Sequence, residues 1–167
     1  MSRQSELVKQ AQDIGSGFID IDGAGRVTKA GQPSFFATLS GQQSDIADGT
    51  NVRIAFDTVT QVGSGFNTST HEFVCPVTGV YLFCFNGYAY YTRQAEIALF
   101  KNGVKTIRSV GPVVSADANP NGASGSGIIK CNAGDILYCE MYGDTGGQNW
   151  NIYHHEGTTT FSGYLLG

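Results

Sequence analysis

Apolar and polar residues alternate along most of this chain in short runs, cut by glycine, asparagine and aspartate, and that period of two predicts β-strands. Phe35-Phe36-Ala37-Thr38-Leu39 opens the series. A polar loop follows over residues 40–50, then Val52-Arg53-Ile54-Ala55-Phe56 and a Gly63-Ser64-Gly65 turn. Residues 80–85 place Tyr81, Phe83 and Phe85 on one face and Val80, Leu82 and Cys84 on the other. Both sets are apolar, which predicts a central strand covered on both sides. Residues 96–101 turn at Asn102-Gly103 into residues 104–110, a strong hairpin signal, because Asn-Gly tolerates the positive φ angles of a tight turn. Residues 117–125 read as a polar loop. Strands at 127–131 and 136–141 are joined through Asn132-Ala133-Gly134-Asp135, and a last strand covers 158–166. About ten short strands at this spacing predict an all-β sandwich or jelly roll, with no repeat of the kind a propeller or solenoid needs.

The beginning of the chain follows another rule. Leu7, Ala11 and Ile14 recur at i, i+4 and i+7, which predicts a short helix. A helix of this length needs packing against copies of itself or a partner, and a frayed terminus is the plain alternative. Gly15-Ser16-Gly17 breaks the pattern, and two alternating runs around Gly23-Ala24-Gly25 predict a β-hairpin. Gly31-Gln32-Pro33 marks a boundary between an attachment stem, residues 1–33, and a β domain, residues 34–167.

Composition narrows the functional classes. The 167 residues suffice for one sizeable core, and 23 glycines with only 14% charged residues suit turn-rich β structure. A net charge of −4 without a Lys/Arg cluster argues against nucleic-acid binding. No apolar stretch is long enough for a bilayer, so membrane insertion is not expected. Met1 to Gln10 lack the apolar segment of a secretory signal, which points to a chain that does not use the usual export route. Cys75, Cys84, Cys131 and Cys139 form no CxxC pair, and buried free thiols are expected.

Candidate chemistry is sparse. His154-His155-Glu156 lacks the helical i, i+4 histidine pair of a zinc hydrolase and reads as a loop or strand edge. Asp20-Ile21-Asp22-Gly23 starts like a calcium loop, but Ala24 and Gly31 stand where ligands belong. No nucleophile elbow or dinucleotide fingerprint occurs, and Asp57, Asp135, Glu140, Asp144 and Glu156 are not spaced as a carboxylate pair on one face. The expectation is a protein with no catalytic residues and no cofactor. Asn67-Thr68-Ser69 is a glycosylation sequon only in a secretory pathway.

One ordered set of motifs is more telling. It runs from Phe66 through Phe73 to Gly79-Val80-Tyr81-Leu82-Phe83 and ends at Phe85. Phe56-Asp57-Thr58-Val59 precedes it, and Leu99-Phe100-Lys101-Asn102-Gly103 and Asn132-Ala133-Gly134-Asp135 follow. Phe161-Ser162-Gly163-Tyr164-Leu165-Leu166 closes the chain. In this order the set resembles the globular head of the C1q/tumour-necrosis-factor family over residues 34–167. Gln61 departs from it, standing where the signature prefers Asn or Asp, and Phe56 lies one residue closer than the pattern expects. The resemblance implies a ten-stranded jelly roll that forms homotrimers. Phe66, Phe73, Gly79, Tyr81, Phe83, Phe85, Phe161, Tyr164 and Leu166 would then form its core and trimer signature. Some such heads hold calcium in apical loops, for which Asp117 and Asp144 are weak candidates without a matching ligand motif.

The stem, Asp20 to Thr28 running into Gln32-Pro33-Ser34-Phe35, is similar to segments that precede such heads in bacteriophage and large-virus fibres. That likeness implies a virion surface protein: a capsid decoration, head fibre or tail-fibre tip. It would attach to other virion proteins through Leu7, Ala11 and Ile14 and contact a host glycan or protein through Tyr88, Tyr90, Tyr91 and Trp150. For those four aromatics, packing in the core or a trimer interface is the other reading. The alternative for the whole chain is a secreted, lectin-like C1q-domain protein.

Overall fold

The computed structural model describes residues 20–21, 27–28, 31–115 and 120–167. In chain order the strands are β1 (Asp20–Ile21), β2 (Val27–Thr28), β3 (Ser34–Thr38), β4 (Gln43–Ile46), β5 (Asn51–Arg53), β6 (Thr58–Val62), β7 (Phe66–Asn67) and β8 (Glu72–Val74). They continue as β9 (Gly79–Tyr90), β10 (Gln94–Lys101), β11 (Val104–Val110), β12 (Asn121–Cys131), β13 (Ile136–Asp144), β14 (Trp150–Ile152) and β15 (Thr160–Leu165).

Thirteen of these strands make two antiparallel sheets that pack face to face as an all-β jelly roll. In the first sheet β9 is central, with β12 along one edge and β15 and then β14 along the other. β3 and β6 extend the sheet beyond β15, and β4 extends it beyond β14. In the second sheet β13 is central, flanked by β10 and β11 on one side and by β8 and β5 on the other, with β7 beyond β8. A separate two-stranded ladder pairs Asp20 with Thr28 and Ile21 with Val27. The helix expected around Leu7, Ala11 and Ile14 lies outside the described residues.

Alternation places the core where the pattern predicted. Tyr81, Phe83 and Phe85 of β9 point inward with Phe161 of β15 and Phe35 of β3, and all are buried. From the second sheet Phe73, Ile97, Leu99, Leu137 and Met141 meet them. The rings interlock: Phe35 stacks on Phe73 at 4.5 Å between centroids and meets Phe161 edge-on at 4.8 Å. Offset and edge-to-face aromatic pairs contribute about 0.5–1.5 kcal/mol each beyond the area they bury. Asn102 (φ 50°) and Gly103 (φ 81°) turn β10 into β11 with the positive angles that a two-residue hairpin requires.

Thirteen strands replace the expected ten because several are too short or too polar to show a period. Residues 40–50, expected as loop, contain β4, an edge strand of Gln, Ser, Asp and Ile paired to β14. The Gln43 side chain anchors it, donating to the Arg53 carbonyl (3.1 Å) and accepting from the Ala55 N–H (2.8 Å). The expected loop at 117–125 gives way at Asn121, where β12 begins its long ladder with β9. Its Gly-Ala-Ser-Gly-Ser-Gly run carries no apolar signal, yet the small residues let Phe85 and Ile107 press against the backbone at Gly125 and Gly127. Among the described residues no helix is long and apolar enough to cross a membrane.

Candidate functional site: an uncovered sheet face

A two-layer sandwich covers one face of each sheet and leaves the other outward. In the second sheet the outward face is charged. Glu96 pairs with Lys105 (2.7 Å) and Arg108 (2.6 Å), and Arg53 pairs with Glu72. The Arg53 guanidinium lies 3.5 Å above the Tyr138 ring, which stacks on Phe100 at 5.1 Å. The two cations hold Glu96 below the usual carboxylate range against the opposing effect of its burial. Ion pairs laid over aromatic rings in this way keep a surface wet.

The outward face of the first sheet has a different chemistry. Residues directly opposite one another in a ladder share a face, so the registers define rows across five strands. One row is Val62, Ser34, Tyr164, Leu82 and Ile128. The next is Thr60, Phe36, Ser162, Cys84 and Ser126, and a third is Thr58, Thr38, Thr160, Asn86 and Ser124. Ile128 is 66% exposed, and Phe36, Tyr164, Val62, Leu166 and Val80 are also open to solvent. In these three rows no residue is charged; Lys130, opposite Val80, is the cation at their margin. Asn86 closes the polar end by donating to the Thr158 carbonyl and accepting from the Thr160 hydroxyl.

Beyond Asn86 the same face becomes aromatic. Tyr90 meets Tyr153 edge-on at 4.7 Å, and Tyr88 lies 6.1 Å from Tyr153 and 6.2 Å from Tyr90. Tyr153 stacks on His155 at 5.8 Å, and its backbone N–H donates to the Tyr88 carbonyl (2.8 Å). Tyr91 is exposed and sits at φ 65°, a left-handed angle uncommon for an aromatic residue, where the chain leaves β9.

The expected residues are therefore divided. Phe66, Phe73, Tyr81, Phe83, Phe85 and Phe161 are buried between the sheets, whereas Tyr164 and Leu166 are exposed on the uncovered face. Gly79 admits the Leu165 side chain, which would lie 2.5 Å from a Cβ there. Tyr88 and Tyr90 are half-buried and Tyr91 exposed, but Trp150 is no surface contact. It is fully buried, and its indole N–H donates to the Ala47 carbonyl (3.1 Å) just past the end of β4, the strand the polar sequence concealed and beside which Trp150 pairs. Cys84 corrects a second expectation: it lies exposed in the middle of the uncovered face, because nothing among the described residues covers β9 from that side. Asp144 is paired with Arg93 (2.9 Å) and accepts from the Gly146 N–H, while Asp117 lies outside the described residues. Among the described residues no group of three or more His, Cys, Asp or Glu is placed to hold a metal ion. Sequence reasoning missed Phe36, Val62 and Ile128, whose apolar side chains on otherwise polar strands were the available signal.

The chain is thus a jelly-roll β-sandwich with one ion-paired and one apolar outward face. Residues 34–166 match the family model of the C1q domain, and the chain belongs to that family. It is 31% identical over 103 residues to human Complement C1q and tumor necrosis factor-related protein 9B, which covers 60% of this chain and 29% of that protein. The mouse Complement C1q and tumor necrosis factor-related protein 9 gives the same identity and coverage. The chain thus spans less than a third of the length of these curated relatives. Among solved structures, the globular domain of zebrafish complement 1qA superimposes with a TM-score of 0.57 at 16% identity, over 81% of this chain and 98% of that one. Murine APRIL at pH 5.0 gives 0.61 at 15% identity, over 81% and 99%. The relatives named here are animal proteins, so the viral reading of the stem draws no support from them.

Proposed function

We propose that this chain is the recognition head of a C1q-type homotrimer that works by binding outside the cell, without catalysing a reaction. The observation that carries this reading is the contrast between the two outward faces. A solvated monomer has no use for Val62, Phe36, Tyr164, Leu82 and Ile128 side by side on a face without charge, whereas two further copies would bury them. The central Ser, Thr and Asn rows then lie inside the assembly, and the charged second sheet faces water. Phe66, Phe73, Gly79, Tyr81, Phe83, Phe85 and Phe161 support the face from behind; Tyr164 and Leu166 belong to the interface itself.

Sedimentation equilibrium of the purified protein tests this. The expected mass is three times the 17.7 kDa chain. Leu82→Asp, which sets a charge in the apolar row, is expected to yield folded monomer, while Arg108→Ala on the ion-paired face leaves the trimer intact. Wild-type protein that stays monomeric at micromolar concentration sinks the proposal.

For the setting in which the head works, the relatives favour a secreted recognition protein that reads glycans or microbial surfaces. In this reading Tyr91, at the aromatic end of the face, is the residue offered to a ligand, since tyrosine gives large contact area at small entropic cost. A virion surface protein is the second reading, which rests on the likeness of Asp20 to Thr28 in sequence to segments that precede such heads in viral fibres. Gln32, near the expected boundary, donates to the Leu165 carbonyl and accepts from the Tyr164 hydroxyl (3.0 Å), which ties that residue to the last strand. Copy number in purified particles from the source separates the two: a count matching the capsid lattice or a few trimers supports the virion, and absence supports secretion.

A further inference from the structure

Two of the four cysteines meet where the two sheets meet. Cys75 continues the line of β8 in the second sheet; its N–H donates to the Asp135 carbonyl (2.8 Å) and its own carbonyl accepts from the Gly134 N–H (2.8 Å). Cys131 ends β12 in the first sheet, opposite Gly79. Residues 132–135 carry the chain from one sheet to the other, so the hydrogen bonds that fix this crossover hold Cys75 to the segment that directly follows Cys131. Both side chains are buried in the core, at 1% and 0% exposure. The Cys131 thiol lies 3.9 Å from the Ile129 carbonyl, and the two thiols are near enough to perturb one another's titration. Cys139 is buried and Cys84 lies on the outward face of β9, so neither takes part in this pair.

We infer that Cys75 and Cys131 close into a disulfide that staples the two sheets when the chain folds in the presence of a small-molecule disulfide, while Cys139 remains a thiol and the exposed Cys84 exchanges only with the small molecule. The chemistry balances as two exchanges. One cysteine thiolate attacks a sulfur of glutathione disulfide, forming a mixed disulfide and releasing one glutathione thiolate. The second cysteine thiolate then attacks the protein sulfur of the mixed disulfide and releases the other. The two cysteines lose two electrons and two protons, and one glutathione disulfide becomes two thiols. In the folded state burial pushes the Cys75 thiol far above its ordinary range, with the Cys131 thiol adding to the shift. Attack from the closed core is therefore slow, and the bond forms before the sheets close. The inference is independent of self-association, since both sulfurs belong to one copy of the chain.

The test is to refold reduced protein in glutathione disulfide, unfold it without reductant, and alkylate. Wild type is expected to take at most two labels of four, one fewer where the exposed Cys84 carries glutathione as a mixed disulfide. Cys84→Ser, an exposed substitution that leaves the core alone, is expected to take one, located on Cys139 by fragmentation. Closing a loop of roughly 55 residues is expected to raise Tm by about 10 °C over the reduced protein. Four labels on wild type, three on Cys84→Ser, or a label on Cys75 or Cys131 overturns the inference.

Discussion

Gly163 is a test of how tightly the face is supported from behind. It lies in β15 opposite Phe35 of β3 and Phe83 of β9, on the core side of the sheet. A Cβ at this position would lie 2.5 Å from Phe35 Cε1 and 2.8 Å from Phe83 Cε1. Carbon atoms in good contact stand about 3.5–4.0 Å apart. Neither ring has room to retreat, because Phe35 is stacked on Phe73 and edged by Phe161, and Phe83 is stacked on Tyr81. Gly163 is not among the positive-φ glycines, so alanine meets no backbone penalty. Two effects then oppose each other in Gly163→Ala. Overpacking costs about 1–3 kcal/mol, and the loss of freedom in the unfolded chain returns about 0.4–1 kcal/mol. The steric effect wins, for a net loss of about 1–2 kcal/mol and a fall in Tm of about 2–8 °C for a domain of this size. Gly41→Ala is the control: nothing lies within 4 Å of its Cβ and its φ is ordinary, so its melting point should stay level or rise slightly. The assay is thermal unfolding followed by circular dichroism at one fixed protein concentration, because the proposed self-association would make Tm depend on concentration. A Gly163→Ala melting point equal to or above that of Gly41→Ala would refute the reasoning and mean that the aromatic core yields.

Three other outcomes are expected. Lys101 (2.8 Å), the Asn102 side chain and the Asn132 backbone N–H hold the Asp135 carboxyl at about 2, below its unfolded value. Stability from this site is therefore present above pH 4 and lost as pH falls from about 4 towards 2; Asp135→Asn should flatten Tm against pH in that window, and an unchanged slope would exclude the site as its source. Trp150, the single tryptophan, should resist acrylamide quenching in the native protein, and Trp150→Ala should cost about 3–5 kcal/mol in a urea titration. Ready quenching would contradict its burial. Cys84 should react slowly with a thiol reagent in the assembled protein and quickly in the Leu82→Asp monomer; equal rates would place the interface elsewhere.

Much of the fold was legible because a strand that buries one face writes that fact into alternate residues. Tyr81, Phe83 and Phe85, the Asn102-Gly103 turn and the final Phe161 to Leu166 run required only local rules, and their order along the chain carried the family resemblance. The short polar strand at Gln43–Ile46 did not, since its pairing depends on β14, more than a hundred residues away, and on the amide of Gln43. The glycine- and serine-rich β12 was hidden for a related reason: its partners supply the bulk, and the strand contributes room. Trp150 shows the limit most clearly, because its neighbours in sequence are mostly polar and the groups that bury it, Gly143 of β13 and the Ala47 carbonyl, are distant or invisible as partners along the chain.

Alternation by itself determined that this protein is a β-sandwich with an aromatic core, since the period of side-chain direction in a strand is local. Which outward face is charged and which is apolar was decided by the tertiary structure alone. Both sets of residues on β9 are apolar in sequence, and only the register of five strands shows that Val62, Tyr164, Leu82 and Ile128 join into one uncharged row while Glu96, Lys105 and Arg108 gather on the opposite side. The reason is physical: a face is a property of ladders between distant strands, and no single strand carries it.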